Sequence, residues 1–261
     1  TILGFKHLKM IEIFILSLVQ GITEFLPISS SSHLIIISKY FNFENQKLSI
    51  DVSLHIGSFL AVIVYFRSYI KDFFKNKQLF LKIFVASIPV MTVGYCLVKF
   101  HLIEHLRNIK IIGWTTIIFG ILLYLSDKTK YSKKINFDLN YKSIVLIGFF
   151  QTLSLIPGVS RSGISITGAR FLKFDRLDSA KISFLLSIPT LAAVSVFGIN
   201  NILKSEVLEL SILNLTSIVL SFIFSLTAIK YFLKYIKNSS LTVFAIYRVI
   251  LGFIILLFSY L

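Results

Sequence analysis

Two of the eight long apolar runs in this chain are broken in the middle. Six runs, at about residues 51–70, 79–100, 109–126, 179–199, 211–235 and 241–261, read as uninterrupted membrane spans. The other two, 10–40 and 142–171, are interrupted by Pro27 with a run of serines, and by Pro157, Gly158 and a Ser-Arg-Ser. Each half of a broken run is about 12–17 residues, too short at 1.5 Å rise per residue to cross a ~30 Å hydrocarbon core. Helix, break, helix at membrane depth reads as a re-entrant hairpin, because irregular backbone there must be buried in protein or line a cavity. The expected fold is all-α: a polytopic membrane protein of six transmembrane helices plus two re-entrant helical hairpins.

Composition points the same way. Of 261 residues, 56% are hydrophobic and 15% charged, with a mean hydropathy of +0.84; a soluble domain of this length carries more charge. The net charge of +15 does not indicate nucleic acid, since the Lys and Arg sit mostly in short loops, as the positive-inside rule expects. A basic rim also attracts anionic membrane lipid. The lone Cys96 excludes an internal disulfide or a Cys-based metal cluster and reads as packing. The first apolar run holds Glu12, Gln20 and Glu24 with no small-residue cleavage site, so no cleavable signal peptide is expected. With no linker or low-complexity stretch, residues 1–261 read as a single membrane domain.

The two halves echo each other. Gln20 precedes Pro27 and serines; Gln151 precedes Pro157 and serines. VASIP, ending at Pro89, echoes LLSIP, ending at Pro189, so the four prolines form two pairs. Each half becomes a hairpin followed by three spans: repeat one at about 10–126 and repeat two at about 142–261. Three spans is an odd number, so the second repeat enters the membrane upside down, and sites in such inverted-topology folds lie near the midplane at the repeat interface. Loop charges test this topology. Eight Lys/Arg fall on the side where the first hairpin begins, among them Lys47 and Arg107, and fifteen on the other, which is then cytoplasmic.

The chemistry concentrates at the breaks. Gln20 and Glu24 are spaced i, i+4 on one helix face. Pro27 ends that helix, Ser29 can cap the next, and Ser30 and His33 share a face near its start, where free N–H groups favour an anion. Ser31 and Ser32 read as helix packing, whereas a mid-membrane Glu24 is costly without a role. The second break, PGVSRSG, offers Arg161 flanked by Ser160 and Ser162, with Gly158 and Gly163 permitting tight turns; this looks like an oxyanion clamp. The alternative is that Arg161 merely pairs with Glu24 as a structural bridge between the repeats. Asp51 and His55, i, i+4 at a span start, are weaker candidates. Arg248 reads as pairing within the bundle, and His7, His101 and His105 are loop residues with little signal. The ensemble suits a phosphate ester or anhydride on a lipid.

Gln20-G-I-T-Glu24-F-L-P-I-Ser29-Ser30-S-S-His33 resembles the first signature of the bacterial undecaprenyl-diphosphate phosphatases, the BacA-like bacitracin-resistance proteins, and P-G-V-Ser160-Arg161-Ser162-G resembles their second. DVSLHIGSFLAVIVYFR, FLLSIP and YRVILG also resemble family segments, so the likeness covers nearly the whole chain. It departs at Ser32, usually Gly, and at Ser165, often Thr; Gln20 stands where Glu is also found. The resemblance implies hydrolysis of a polyprenyl diphosphate, undecaprenyl diphosphate, to undecaprenyl phosphate and inorganic phosphate. That recycles the cell-wall lipid carrier and is linked to bacitracin resistance. It also implies a bacterial cytoplasmic (inner) membrane location, a site opening to the outer face and dependence on a divalent cation, Mg²⁺ or Ca²⁺. On this reading Glu24 and Gln20 bind the metal, and Ser29, Ser160, Arg161, Ser162 and Ser165 hold phosphate. Ser30 attacks with His33 as base, or His33 activates water or attacks directly. The competing class is an inverted-repeat lipid-phosphate carrier, which has no need of Ser30 beside His33. A homodimer is left open.

Overall fold

A computed structural model describes residues 2–41, 43, 48–75, 77–100, 102, 106, 108–204 and 212–261. Lys47, Arg107, His101 and His105 lie outside the described residues, as do the side chains of Lys6, His7, Lys39, Lys75 and Lys204. The described residues form α1 (Ile2–Thr23), α2 (Ser30–Phe41), α3 (Leu48–Tyr65), α4 (Arg67–Lys75), α5 (Lys77–Lys99), α6 (Ile109–Asp127), α7 (Ile135–Asp138), α8 (Tyr141–Thr152), α9 (Arg161–Phe171), α10 (Arg176–Lys204), α11 (Ile212–Ile236) and α12 (Thr242–Tyr260). The β pairing among them is one isolated bridge, Lys133 to Phe174. Five helices, α5, α6, α10, α11 and α12, are long and apolar enough to cross a membrane. Their outward faces carry exposed side chains such as Trp114, Ile118, Ile250 and Phe253, as a lipid-facing surface requires.

Two expectations change. The first arm of hairpin one is not short: α1 has 22 residues, about 33 Å of helix. The apolar count missed its start because the helix continues upstream through a Lys/His-containing stretch whose residues are adequate helix formers. The other arms, α2, α8 and α9, have 12, 12 and 11 residues and stay short. The run 51–70 is not one helix either. It turns at Phe66, which is buried against Tyr65, Tyr69 and Phe184, and α4 leaves at that corner with Arg67 and Lys71 exposed.

Several helix packings come in corresponding pairs, although α9 also packs on α10 and α6 with no comparable packing of α2 among the described residues. α1 packs on α11 as α8 packs on α5; α3 packs on α11 as α10 packs on α5; α3 meets α10, and α6 meets α12. Exchanging α1 with α8, α3 with α10, α5 with α11 and α6 with α12 maps this set onto itself. The VASIP/LLSIP echo does not follow the exchange, because Pro89 lies in α5 and Pro189 in α10. Both copies solve a local problem instead. A proline interrupts the helix ladder, and the serine two residues before it bonds a carbonyl of the preceding turn, Ser87 Oγ to Ile83 O at 2.9 Å and Ser187 Oγ to Phe184 O at 2.6 Å.

Small residues set the helix separations, as they do where lipid offers no hydrophobic drive for helix association. On α3 and α11, Ser58 Oγ lies 2.9 Å from Ser225 Oγ, and Ser221 Oγ donates to Leu54 O at 2.7 Å. Gly148 of α8 lies against the Ala86 backbone of α5, so closely that an added Cβ would overlap the Ala86 carbonyl. Gly148→Val is therefore expected to destabilise the protein by about 1–3 kcal/mol through overpacking, read as a lower melting temperature in detergent; an unchanged melting temperature would contradict this contact. At one end of the bundle, buried Asp127 closes four helix ends. It accepts from Arg176 Nε at 2.7 Å, Arg176 Nη2 at 3.0 Å and Leu241 N at 3.0 Å. Arg170 donates to Phe174 O, Thr129 O and Asp127 O. In the adjoining loop Lys134 pairs with Asp175, which holds its ammonium above the usual lysine pKa.

Candidate active site

The two breaks face each other and share one local solution. α1 ends at Thr23 and α2 begins at Ser30, directly after Ser29 at φ 73°. α8 passes through a 3₁₀ turn at Leu153–Leu155, then Gly158 at φ 94° and Ser160 at φ 70°, before α9 begins at Arg161. A serine in the left-handed region is strained by order 1 kcal/mol or more, and such strain persists only where the surroundings over-determine it. At the second break Ser160 Oγ caps α9 by accepting from Gly163 N at 3.1 Å. At the first, position 32 is serine, and its hydroxyl lies 2.9 Å from Ser29 Oγ. Ser32 thus supplies a hydroxyl partner where Gly163 supplies a backbone donor.

Cross-contacts tie the tips together. Ser162 Oγ donates to Leu26 O at 2.7 Å, and Thr115 Oγ1 of α6 donates to Pro157 O at 2.6 Å. Arg248 of α12, fully buried, reaches both breaks: Nη2 donates to Gly158 O at 2.8 Å and Val159 O at 2.9 Å, and Nη1 to Pro27 O at 3.5 Å. Sequence reasoning expected this arginine to pair within the bundle. Its partners are backbone carbonyls, which the unwound tips expose and a five-donor fork can collect. An arginine inside a span was the available signal; neither the carbonyl partners nor the role of Thr115 could be read from spacing.

Between the tips lies a charged chain. Glu24 Oε1 accepts from Arg161 Nη2 at 2.7 Å, and Glu24 Oε2 accepts from Ser30 Oγ at 2.7 Å and Gln20 Nε2 at 3.0 Å. Gln20 Nε2 also lies 3.1 Å from His55 Nδ1; an amide nitrogen only donates, so His55 accepts there and carries its proton on Nε2 when neutral. His55 therefore joins the site. Glu24 and Gln20 are buried, Ser30 is half-buried, and the Arg161 side chain is 14% exposed. Two buried atoms here have no hydrogen-bond partner among the described residues: Arg161 Nη1, a donor, and Gln20 Oε1, an acceptor.

The remaining sequence candidates take other partners. His33, expected beside Ser30 as its base, has Nδ1 2.7 Å from Ser29 O and Nε2 2.6 Å from the Tyr247 hydroxyl. The hydroxyl of Ser30 is directed to Glu24 instead. Ser162 is engaged with the opposite tip, and Ser165 is buried with its hydroxyl 3.3 Å from Gln151 Oε1. Ser29, Ser162 and Ser165 thus brace the tips, while Ser30 and Arg161 are partly exposed. Among the described residues no cluster of three or more His, Cys, Asp and Glu could hold a metal ion by itself. The oxygen-only pair of Gln20 Oε1, which is unsatisfied, and the Glu24 carboxylate does fit a hard cation whose remaining ligands come from substrate phosphate and water.

A family model described as "Bacitracin resistance protein BacA" matches residues 13–254, taking in both tips and α12 through Arg248. The chain belongs to the BacA family. It is 52% identical over 253 residues to an undecaprenyl-diphosphatase of Pelagibacter ubique (strain HTCC1062), covering 97% of this chain and 98% of that protein. It is also 39% identical over 267 residues to an undecaprenyl-diphosphatase of Jannaschia sp. (strain CCS1), covering 97% of this chain and all of that one. In this BacA-family chain, then, the charged chain between the tips lies wholly within the matched region.

Proposed function

We propose that the chain hydrolyses undecaprenyl diphosphate to undecaprenyl phosphate and inorganic phosphate within the membrane, recycling the cell-wall lipid carrier and so conferring bacitracin resistance. The observation that carries this reading is the Arg161–Glu24–Ser30 chain, in which a guanidinium, a buried carboxylate and a hydroxyl meet across two helix breaks. A phosphate at the end of a lipid needs such groups at membrane depth; an aqueous substrate does not. The relatives' names support the same substrate.

The 2.7 Å bond from Ser30 Oγ to Glu24 Oε2 supports Glu24 as the proton acceptor for Ser30. Ser30 Oγ attacks the terminal phosphorus, the bond from that phosphorus to the bridging oxygen breaks, and undecaprenyl phosphate leaves with the electron pair. The Ser30 proton passes to Glu24. Water then bonds to the phosphorus and the phosphoseryl bond breaks; Glu24 returns its proton to the Ser30 oxygen, and both protons of the water leave with the inorganic phosphate. Arg161, with Nη1 free to donate, offsets charge on the transferring group. Gln20 holds Glu24 in place through its amide. Mg²⁺ or Ca²⁺, held by Gln20 and Glu24, would neutralise part of the diphosphate charge.

The exchange of helix contacts and the matching left-handed serines support reading 10–126 and 142–261 as inverted repeats, with the site at their interface. The loop-charge bias supports an inner-membrane orientation in which hairpin one enters from the outer face and the site opens there.

Phosphate release by purified protein in detergent, with added cation or with EDTA, tests the reading. Release that requires cation and stops with EDTA is expected. Folded protein that releases no phosphate across several cations and pH values, yet moves the lipid in sealed vesicles, would make it a carrier.

A further inference from the structure

The His33 ring is held at both nitrogens. A carbonyl only accepts, so the nitrogen beside Ser29 O, Nδ1 at 2.7 Å, carries the proton. In the neutral ring Nε2 then bears the lone pair, and the Tyr247 hydroxyl, 2.6 Å away, donates to it. The Ser29 carbonyl faces the ring from the left-handed turn at φ 73°. The two rings lie nearly parallel, 7° apart with centroids at 5.7 Å, which restricts rotation of the imidazole. Tyr247 is 41% exposed, so this contact sits at the open edge of the tip.

We propose that Tyr247 is a positioning residue for the reaction: by donating to the Nε2 lone pair, its hydroxyl holds the neutral His33 ring in one orientation at the edge of the Ser30 site. The proposal rests on the phosphatase reading. It gives His33 a defined state that does not require a bond to Ser30, whose proton already has an acceptor in Glu24. It also explains why α12 carries Tyr and Arg side by side. Neighbours on a helix point about 100° apart; Arg248 reaches inward to the carbonyls of both breaks, while Tyr247 reaches the imidazole at the rim.

Ring-nitrogen NMR on protein labelled with ¹⁵N-histidine, in detergent above the usual histidine pKa, reads the tautomer, with His33→Gln identifying the signal among five histidines. The expected result is Nδ1–H with an unprotonated, hydrogen-bonded Nε2 in wild type, and an Nε2 signal moved toward that of an unbonded ring nitrogen in Tyr247→Phe, which keeps the parallel ring and the Nδ1–H bond to Ser29 O. In phosphate release, Tyr247→Phe is expected to lower kcat about tenfold, below the full range of acid–base effects, with KM within about twofold. The double variant Tyr247→Phe/His33→Gln is expected to be no slower than His33→Gln alone. A proton on Nε2 in wild type at that pH, an unchanged kcat in Tyr247→Phe, or additive losses in the double variant would overturn the proposal. Folded wild type that releases no phosphate would overturn the phosphatase reading beneath it, a result distinct from an active wild type with a fully active Tyr247→Phe.

Discussion

Arg161→Ala is expected to lower phosphate release by about 10³-fold or more, the range seen when a charged donor is removed from a transferring phosphoryl group or its equivalent. Arg161 is the guanidinium of the second tip, paired to Glu24 at 2.7 Å through Nη2 with Nη1 unused. The variant also leaves a buried carboxylate unpaired, a change of about 3–5 kcal/mol for a buried pair, so part of the loss could come from unfolding. Arg161→Lys separates the two effects. It keeps a cation beside Glu24 and is expected to recover most of the melting temperature. Lysine has no planar fork with which to hold Glu24 and a phosphoryl oxygen together, so activity is expected to stay about 10²-fold down. A lysine variant with near-normal rates would reduce Arg161 to a bridge between the repeats.

Arg248→Met is expected to produce a large loss of stability. Two opposing effects decide its size. Removing a buried charge with no carboxylate partner among the described residues relieves desolvation. Methionine cannot donate, however, so the carbonyls of Pro27, Gly158 and Val159 lose their partner. Hydrogen bonds from a charged donor contribute about 1.5–3 kcal/mol each. With two short ones at 2.8 and 2.9 Å, the net expectation is a loss of about 2–4 kcal/mol. Phosphate release should fall with it, because the tips lose their common register. Arg248→Lys should rescue little, since one ammonium cannot reach both breaks. Thermal unfolding in detergent beside the rate measurement checks this; wild-type values for Arg248→Met would remove the clasp from the account.

The sequence made the breaks legible because proline leaves a strong local mark. Pro27 and Pro157 end helices, and the serines that follow can cap the next ones. It also made the Gln20–Glu24 face legible, since i, i+4 spacing needs no tertiary information. The hidden features depend on what each group meets across the fold. Ser30 and His33 share a helix face, yet one turns to Glu24 in the break and the other to Tyr247 on a helix more than 200 residues away in the chain. Their spacing suggested a pair that the tertiary partners divide. The corner at Phe66 was invisible because an aromatic residue continues an apolar run whether it faces lipid or turns into the core. The start of α1 was hidden because apolar counting marks where lipid begins and not where a helix does.

The most direct test of the central claim is a rapid-quench single turnover with undecaprenyl diphosphate labelled at the terminal phosphate, comparing wild type with Ser30→Ala. The account predicts transient protein-bound label at Ser30 in wild type. It also predicts neither label nor phosphate release in Ser30→Ala, which should still bind the lipid. Full turnover by Ser30→Ala, with no label on wild-type protein at any time, would contradict it.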